Sequence, residues 1–193
     1  VFDVVMPWLK RGEVMGYRFD GYWDDIGSIT DYYRASLLLL KNRLLITDAD
    51  WPILTRGSEL PPARCSENSR VTNSIVADGC VVEGDVDGSI LFPGVTVEAG
   101  ARVKDSIVFS FARICRNASV ERAILDKFVA IGRGAEVGAK AAGAKGAASP
   151  GAGRSAGERG GIAVLGRKSR VYPGASVPRG TIVEPHRNVG RRR

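Results

Sequence analysis

Four short segments of this sequence repeat one another. Ser74-Ile75-Val76, Ser89-Ile90-Leu91, Ser106-Ile107-Val108 and Ala123-Ile124-Leu125 follow at steps of 15, 17 and 17 residues. Aliphatic pairs six apart recur between them at the same 17-residue step: Val97/Val103, Ile114/Val120 and Ile131/Val137. Cys80/Val86 extends this ladder backwards, and after a gap Leu165, Val171, Val177 and Val183 run in unbroken steps of six. One aliphatic in six, with Gly, Pro, Asp or Asn between, suits a coil of short parallel strands that turn sharply at each corner and send one side chain inward per strand. Neither an α-helix nor a hairpin meander has that period. Ile107 and Val120 are read as inward positions of this coil.

The bulk numbers narrow what the coil belongs to. A chain of 193 residues with 44% apolar and 25% charged residues has ordinary globular composition and can bury a core. Its longest apolar run is Leu37 to Leu40, far short of the ~18 residues that a membrane-spanning helix needs, so no membrane partner is expected. No secretory signal is recognised, and a start at Val1 inside an apolar stretch predicts that the chain is a fragment of something longer. Cys65, Cys80 and Cys115 are odd in number and lack CxxC spacing, which speaks against a disulfide framework or a zinc site and predicts free thiols in a cytoplasmic protein. The net charge of +7 does not predict a nucleic-acid partner, because no basic, aromatic-rich stripe or recognition motif accompanies it. Much of the excess is Lys140, Lys145, Arg154 and Arg159 against Glu158, together with the Arg191-Arg192-Arg193 tail.

Three regions are expected. Residues 1–45 mix aromatics with charges and read as the edge of a packed domain, closing with a helix over Tyr32 to Leu45 behind a capping box at Ser28-Ile29-Thr30-Asp31. Residues 46–70 carry Pro52, Gly57, Pro61 and Pro62 and read as an extended linker. The coil is expected over 71–190, beginning near Val71, its regular hexads running to about Val183. It is interrupted at 138–161, where 16 of 24 residues are Gly or Ala and too little apolar surface is available to offset the entropy of ordering. Gly151, Gly153 and Gly157 within that stretch follow no strand pattern, so no phosphate loop is assigned to them.

The string with most chemistry is Gly21-Tyr22-Trp23-Asp24-Asp25-Ile26-Gly27-Ser28. It sets two carboxylates between aromatics just ahead of a helix start. Such a carboxylate suits a hard cation such as Mg2+, which takes one or two carboxylates plus substrate phosphates; the bland alternative is two aspartates that merely favour a helix-start loop.

Tyr22-Trp23-Asp24-Asp25-Ile26-Gly27-Ser28 followed by Tyr32-Tyr33-Arg34-Ala35-Ser36 resembles the "YWxDVGT…ANxxL" block of the glucose-1-phosphate adenylyltransferases. Trp51-Pro52-Ile53-Leu54-Thr55 with Leu60-Pro61-Pro62-Ala63 is similar to that family's "PIxT…LPPAK" linker, and Ser74 to Cys80 to its first coil turn. The resemblance covers residues 1–137 closely and 162–183 loosely. It implies a left-handed parallel β-helix of hexapeptide repeats, preceded by the C-terminal edge and helix of an α/β nucleotidyltransferase domain. It further implies ATP and glucose 1-phosphate as substrates, a Mg2+ held in part by Asp25, and a homotetramer or heterotetramer. Asp24 is variable in the pattern and gets no role from it.

The family's glycine-rich nucleotide loop, second metal aspartate and sugar-phosphate lysine find no match in these residues. Since phosphoryl-group transfer depends on several such parts together, the isolated chain is expected to lack turnover. Arg179, Arg187 and the arginine tail admit two readings: an anionic effector site, because a dense arginine cluster following a rigid scaffold suits bidentate phosphate contacts, or a solvated basic tail without a ligand. Three rival readings remain: a non-catalytic scaffold subunit of the same family, another sugar nucleotidyltransferase such as one using mannose 1-phosphate, and a hexapeptide acyltransferase. The last needs a histidine base, and the sequence offers only His186, past the last regular hexad.

Overall fold

The computed structural model describes residues 3–41, 54, 57, 59–139 and 161–190. Among them, nineteen short strands coil into three parallel sheets that form the sides of one column. The first sheet stacks Arg64–Cys65, Val81–Val82, Thr96–Val97, Arg113–Ile114, Ala130–Ile131, Arg170–Val171 and Asn188–Val189. The second stacks Arg70–Thr72, Asp85–Asp87, Arg102–Lys104, Ser119–Glu121, Glu136–Ala139 and Ser176–Pro178. Ile75–Val76, Ile90–Leu91, Ile107–Val108, Ala123–Leu125, Ala163–Leu165 and Ile182–Val183 make the third. The coil therefore begins at Arg64, one strand before the expected start near Val71, because Arg64–Cys65 pairs with Val81–Val82 without supplying an aliphatic of its own. It also ends one strand beyond Val183.

Each strand after Arg64–Cys65 sends one aliphatic inward. Val86, Leu91, Val97, Val103, Val108, Ile114, Val120, Leu125, Ile131 and Val137 are at most 1% exposed and line a continuous interior with Leu165, Val171 and Val177. Their spacing of five, six and six residues adds up to the 17-residue step seen in the sequence. The shortened corner is the one between the second and third sheets, where Asn73, Gly88, Asp105 and Arg122 turn the chain with positive φ of 43 to 57°.

A ladder of serines follows that corner. The Ser74 hydroxyl accepts the Ser89 N–H at 3.1 Å, Ser89 accepts that of Ser106 at 3.1 Å, and Ser106 accepts that of Ala123 at 3.2 Å. Each hydroxyl also donates to the carbonyl two residues earlier, of Thr72, Asp87 and Lys104. The clipped corner leaves backbone groups that the strand ladder cannot reach, and a side-chain oxygen satisfies them. Ser106→Ala should therefore cost about 1–3 kcal/mol, since it strands the Ala123 N–H in a buried site, while the Lys104 C=O keeps the Arg122 N–H at 3.1 Å. Chemical denaturation checks this, and an unchanged midpoint would show that the ladder is incidental.

The strand register survives the Gly/Ala-rich stretch. Partners across it are 40 residues apart (Ile124 with Val164, Ala130 with Arg170, Val137 with Val177) where the other steps are 15, 17 or 18. The extra residues leave at a single corner, after Glu136–Ala139, and return before Ala163–Leu165. The reading of a mobile loop there concerns residues 140–160, which lie outside the described residues. Gly138 marks the exit: its φ is +78°, and a Cβ there would lie 1.6 Å from the Glu121 carbonyl oxygen.

One buried polar group has no such partner. Ser169 is fully buried in the interior corner that Val95, Ala112 and Val129 fill on earlier turns, and its hydroxyl has no hydrogen-bond partner among the described residues. Ser169→Ala should stabilise the chain by about 1 kcal/mol, which raises the melting temperature of a protein this size by about 2–4 °C. A lower melting temperature would mean that the hydroxyl is satisfied in solution.

A 13-residue helix, Ile29–Lys41, lies against the outside of the third sheet. A shorter one, Val5–Lys10, buries nothing. Ser28 caps the longer helix as the sequence predicts, its Oγ accepting the Asp31 N–H at 3.1 Å and donating to Asp31 Oδ2 at 2.6 Å. The expected continuation to Leu45 falls outside the described residues. The third sheet is apolar on both sides, and here Ile107 departs from expectation. Val108 points into the column while Ile107, also fully buried, faces outward and packs with Ile124 against Tyr33 of the helix.

Candidate functional site

The helix Ile29–Lys41 ties the Tyr22–Ser28 string to the coil. Tyr33 is 6% exposed, and its hydroxyl donates to the Asp105 carbonyl at 2.5 Å. Beside it Tyr32, Phe109 and Phe92 form a run of stacked rings, with centroids 6.4 and 4.6 Å apart. Apolar anchors fix the helix on the column, so its capped N-terminus has a defined place. Immediately before that cap lies an open cavity of about 340 Å³ between the string and the coil, lined by Ile26, Gly27, Ser28, Ile29, Tyr32, Ile124 and Val164.

Asp25 sits at the rim of this segment, exposed to solvent. Asp24 is partly covered and accepts the Tyr22 hydroxyl at 3.3 Å through Oδ2. Trp23 is 75% exposed, and Met15, Tyr17 and Phe19 are also open. Among the described residues no group of three or more His, Cys, Asp or Glu comes together to hold a metal. Asp25 offers one carboxylate, a hard oxygen donor of the kind that Mg2+ takes.

The arginines expected at an anion site are not brought together. Arg179 follows Ser176–Pro178 at the corner between the second and third sheets, whereas Arg187 precedes Asn188–Val189 at the corner between the third and first. Arg179 is also occupied. Its side chain is 13% exposed, Nε donates to the Gly138 carbonyl at 2.8 Å, and a terminal nitrogen meets Glu121 Oε1 at 2.6 Å. It clamps the exit of the Gly/Ala-rich stretch. Arg187 is exposed, and the tail 191–193 lies outside the described residues.

Cys80 and Cys115 are poor nucleophiles, whereas Cys65 is an exposed free thiol. Burial pushes Cys80 and Cys115 above their ordinary pKa, and Cys80 Sγ–H is spent on the Phe92 carbonyl at 3.2 Å. Two features escaped the sequence reading, Tyr33 as the anchor of the helix and Arg179 as a clamp. The first was legible as a helix position four residues after Ile29. The second depends on Glu121, 58 residues away.

Comparison with known proteins agrees with the motifs. A family profile described as "GlmU-like, C-terminal hexapeptide" matches residues 61–146. A glucose-1-phosphate adenylyltransferase of Bacillus cereus (strain Q1) is 42% identical over 126 residues, which is 64% of this chain and 34% of that protein. Proteins of the same name from Bacillus thuringiensis (strain Al Hakam) and Bacillus mycoides (strain KBAB4) are 41% and 40% identical over the same length and shares. The chain thus spans about a third of the length of the curated relatives it matches. Over that stretch, the motifs, the hexapeptide coil and the sequence identity agree in making this chain similar to the C-terminal part of proteins named glucose-1-phosphate adenylyltransferase.

Proposed function

We propose that this chain is a C-terminal portion of a glucose-1-phosphate adenylyltransferase, which forms ADP-glucose and pyrophosphate from ATP and glucose 1-phosphate in glycogen synthesis. The 42% identity to the Bacillus cereus protein carries the reading. In it, the column is the scaffold and the anchored helix Ile29–Lys41 presents the Tyr22–Ser28 string to a nucleotidyltransferase domain. Asp25 supplies one oxygen and one negative charge to Mg2+, whose role is to neutralise and orient the transferring phosphates. These 193 residues hold only one of the several parts that such a transfer requires, so the chain alone is without turnover. The complete enzyme is a cytoplasmic homotetramer or heterotetramer. Arg187, with its exposed guanidinium, is the better placed of the two arginines to meet an anionic effector, since Arg179 is already paired.

Hydrogen exchange across Tyr22–Ser28 tests the reading in the complete enzyme polypeptide. ADP-glucose with Mg2+ should slow exchange there, and a GDP-mannose control should not. Equal protection by both would favour a different sugar nucleotidyltransferase. No response to either would favour a scaffold subunit.

A further inference from the structure

The helix Ile29–Lys41 lies on a surface that repeats itself. The outward positions of the third sheet are Ile75, Ile90, Ile107, Ile124, Val164 and Ile182, paired in register from strand to strand. Rungs about 4.8 Å apart and nearly alike in side chain offer a helix much the same apolar seat at several heights. Packing on Ile107 and Ile124 therefore decides which face the helix buries, and leaves its place along the column open. A hydrogen bond ties the helix to one height, because it must point at one carbonyl. Tyr33 makes such a bond. Its ring is 6% exposed against Ile107 and Ile124, and its hydroxyl donates at 2.5 Å to the carbonyl of Asp105, where the chain turns with φ 44°.

The helix buries two residues, Tyr33 and Leu40, which stand seven positions and about 10 Å apart along its axis. Tyr33 is the nearer to Asp25, eight residues away, and Leu40 holds the far end. Between Tyr33 and Asp25 the cavity of about 340 Å³ opens beneath Ile26, Gly27 and Ser28, and Asp25 itself is exposed. On this side the string takes its position from the helix rather than from the coil.

We propose that Tyr33 is a positioning residue: the bond from its hydroxyl to the Asp105 carbonyl sets where Asp25 stands relative to the column, and so how well Asp25 meets Mg2+. The inference rests on Asp25 being a ligand of that ion. Tyr33 acts through the first turn of the helix and the Ser28 cap rather than by touching metal or substrate. Loss of the hydroxyl frees the near end of the helix to swing about Leu40, and a misplacement on the order of 1 Å is costly at a group that must meet a reacting centre.

Hydrogen exchange across Tyr22–Ser28 in the complete enzyme polypeptide tests it, with ADP-glucose present and Mg2+ titrated, so that the readout is metal-dependent protection and not turnover. Tyr33→Phe keeps the buried ring and removes the bond. It should raise the Mg2+ concentration for half-maximal protection by about tenfold, as loss of a group that orients a metal ligand does, while the melting temperature falls only slightly. Leu40→Ala leaves a larger cavity, so it should lower the melting temperature further and leave that Mg2+ concentration unchanged. Leu40→Val is the milder form of the same control. Turnover of Tyr33→Phe should recover towards that of the parent as Mg2+ is raised, with KM for glucose 1-phosphate unchanged. The same Mg2+ dependence in Tyr33→Phe and the parent would overturn the proposal. So would an equal shift in the Leu40 variants, which would make the hydroxyl one more contribution to stability. If Asp25→Asn leaves the Mg2+ dependence unaltered, the assignment of Asp25 fails and this inference with it; a clear response to Asp25→Asn beside none to Tyr33→Phe defeats this inference alone.

Discussion

Val120→Asp should unfold the column. Val120 is fully buried inside it, flanked on the second sheet by Val103 and Val137, and among the described residues no cation lines that interior. An unpaired carboxylate there costs several kcal/mol or forces protonation, and a domain's whole stability is only about 5–15 kcal/mol. Val120→Ala leaves a cavity instead and should lower stability by about 2 kcal/mol while the fold persists. Ile107→Asp separates the two sides of the third sheet. Its side chain meets the helix Ile29–Lys41 rather than the interior, so the helix should detach and exchange freely while the coil stays protected. A soluble Val120→Asp chain with an unchanged melting temperature would show that the inward register is wrong.

Asp25→Asn should lower turnover of the complete enzyme by about 100-fold or more with folding nearly intact, because the cation loses a charge and its best oxygen donor. Folding should be indifferent, since Asp25 is exposed and sits outside the helix that packs on the coil. Asp24→Asn should change little beyond loosening the Tyr22 contact. Steady-state kinetics across a Mg2+ titration checks both. Equal losses at the two positions would remove the reason for preferring Asp25.

The periodicity made the column legible because every strand after the first sends one aliphatic inward, and that demand prints a beat of five or six residues on the sequence. The beat fails where other chemistry substitutes for it. Arg64–Cys65 closes the column without an aliphatic, so the first strand passed as linker. The third sheet is apolar on both sides, which erases the alternation that would have shown Ile107 facing outward. Ser74, Ser89 and Ser106 were visible in line, but their bonds from one turn to the next become apparent only once the clipped corner is seen.

The site divides in the same way. Ser28 and Asp31 announced the helix cap through local spacing, whereas Arg179 read as part of an anion site because its partner Glu121 stands 58 residues away in sequence. Asp25 owes its assignment to the motif around it, since its exposed carboxylate has no partner among the described residues to set it apart.

The most direct test of the central claim is product formation by the complete enzyme polypeptide. With Mg2+, ATP and glucose 1-phosphate it should release pyrophosphate and ADP-glucose together, with mannose 1-phosphate and GTP serving poorly, and chelation of the metal should abolish the reaction. Preferred turnover of another sugar phosphate or nucleotide, or no turnover with any pair, would contradict the assignment.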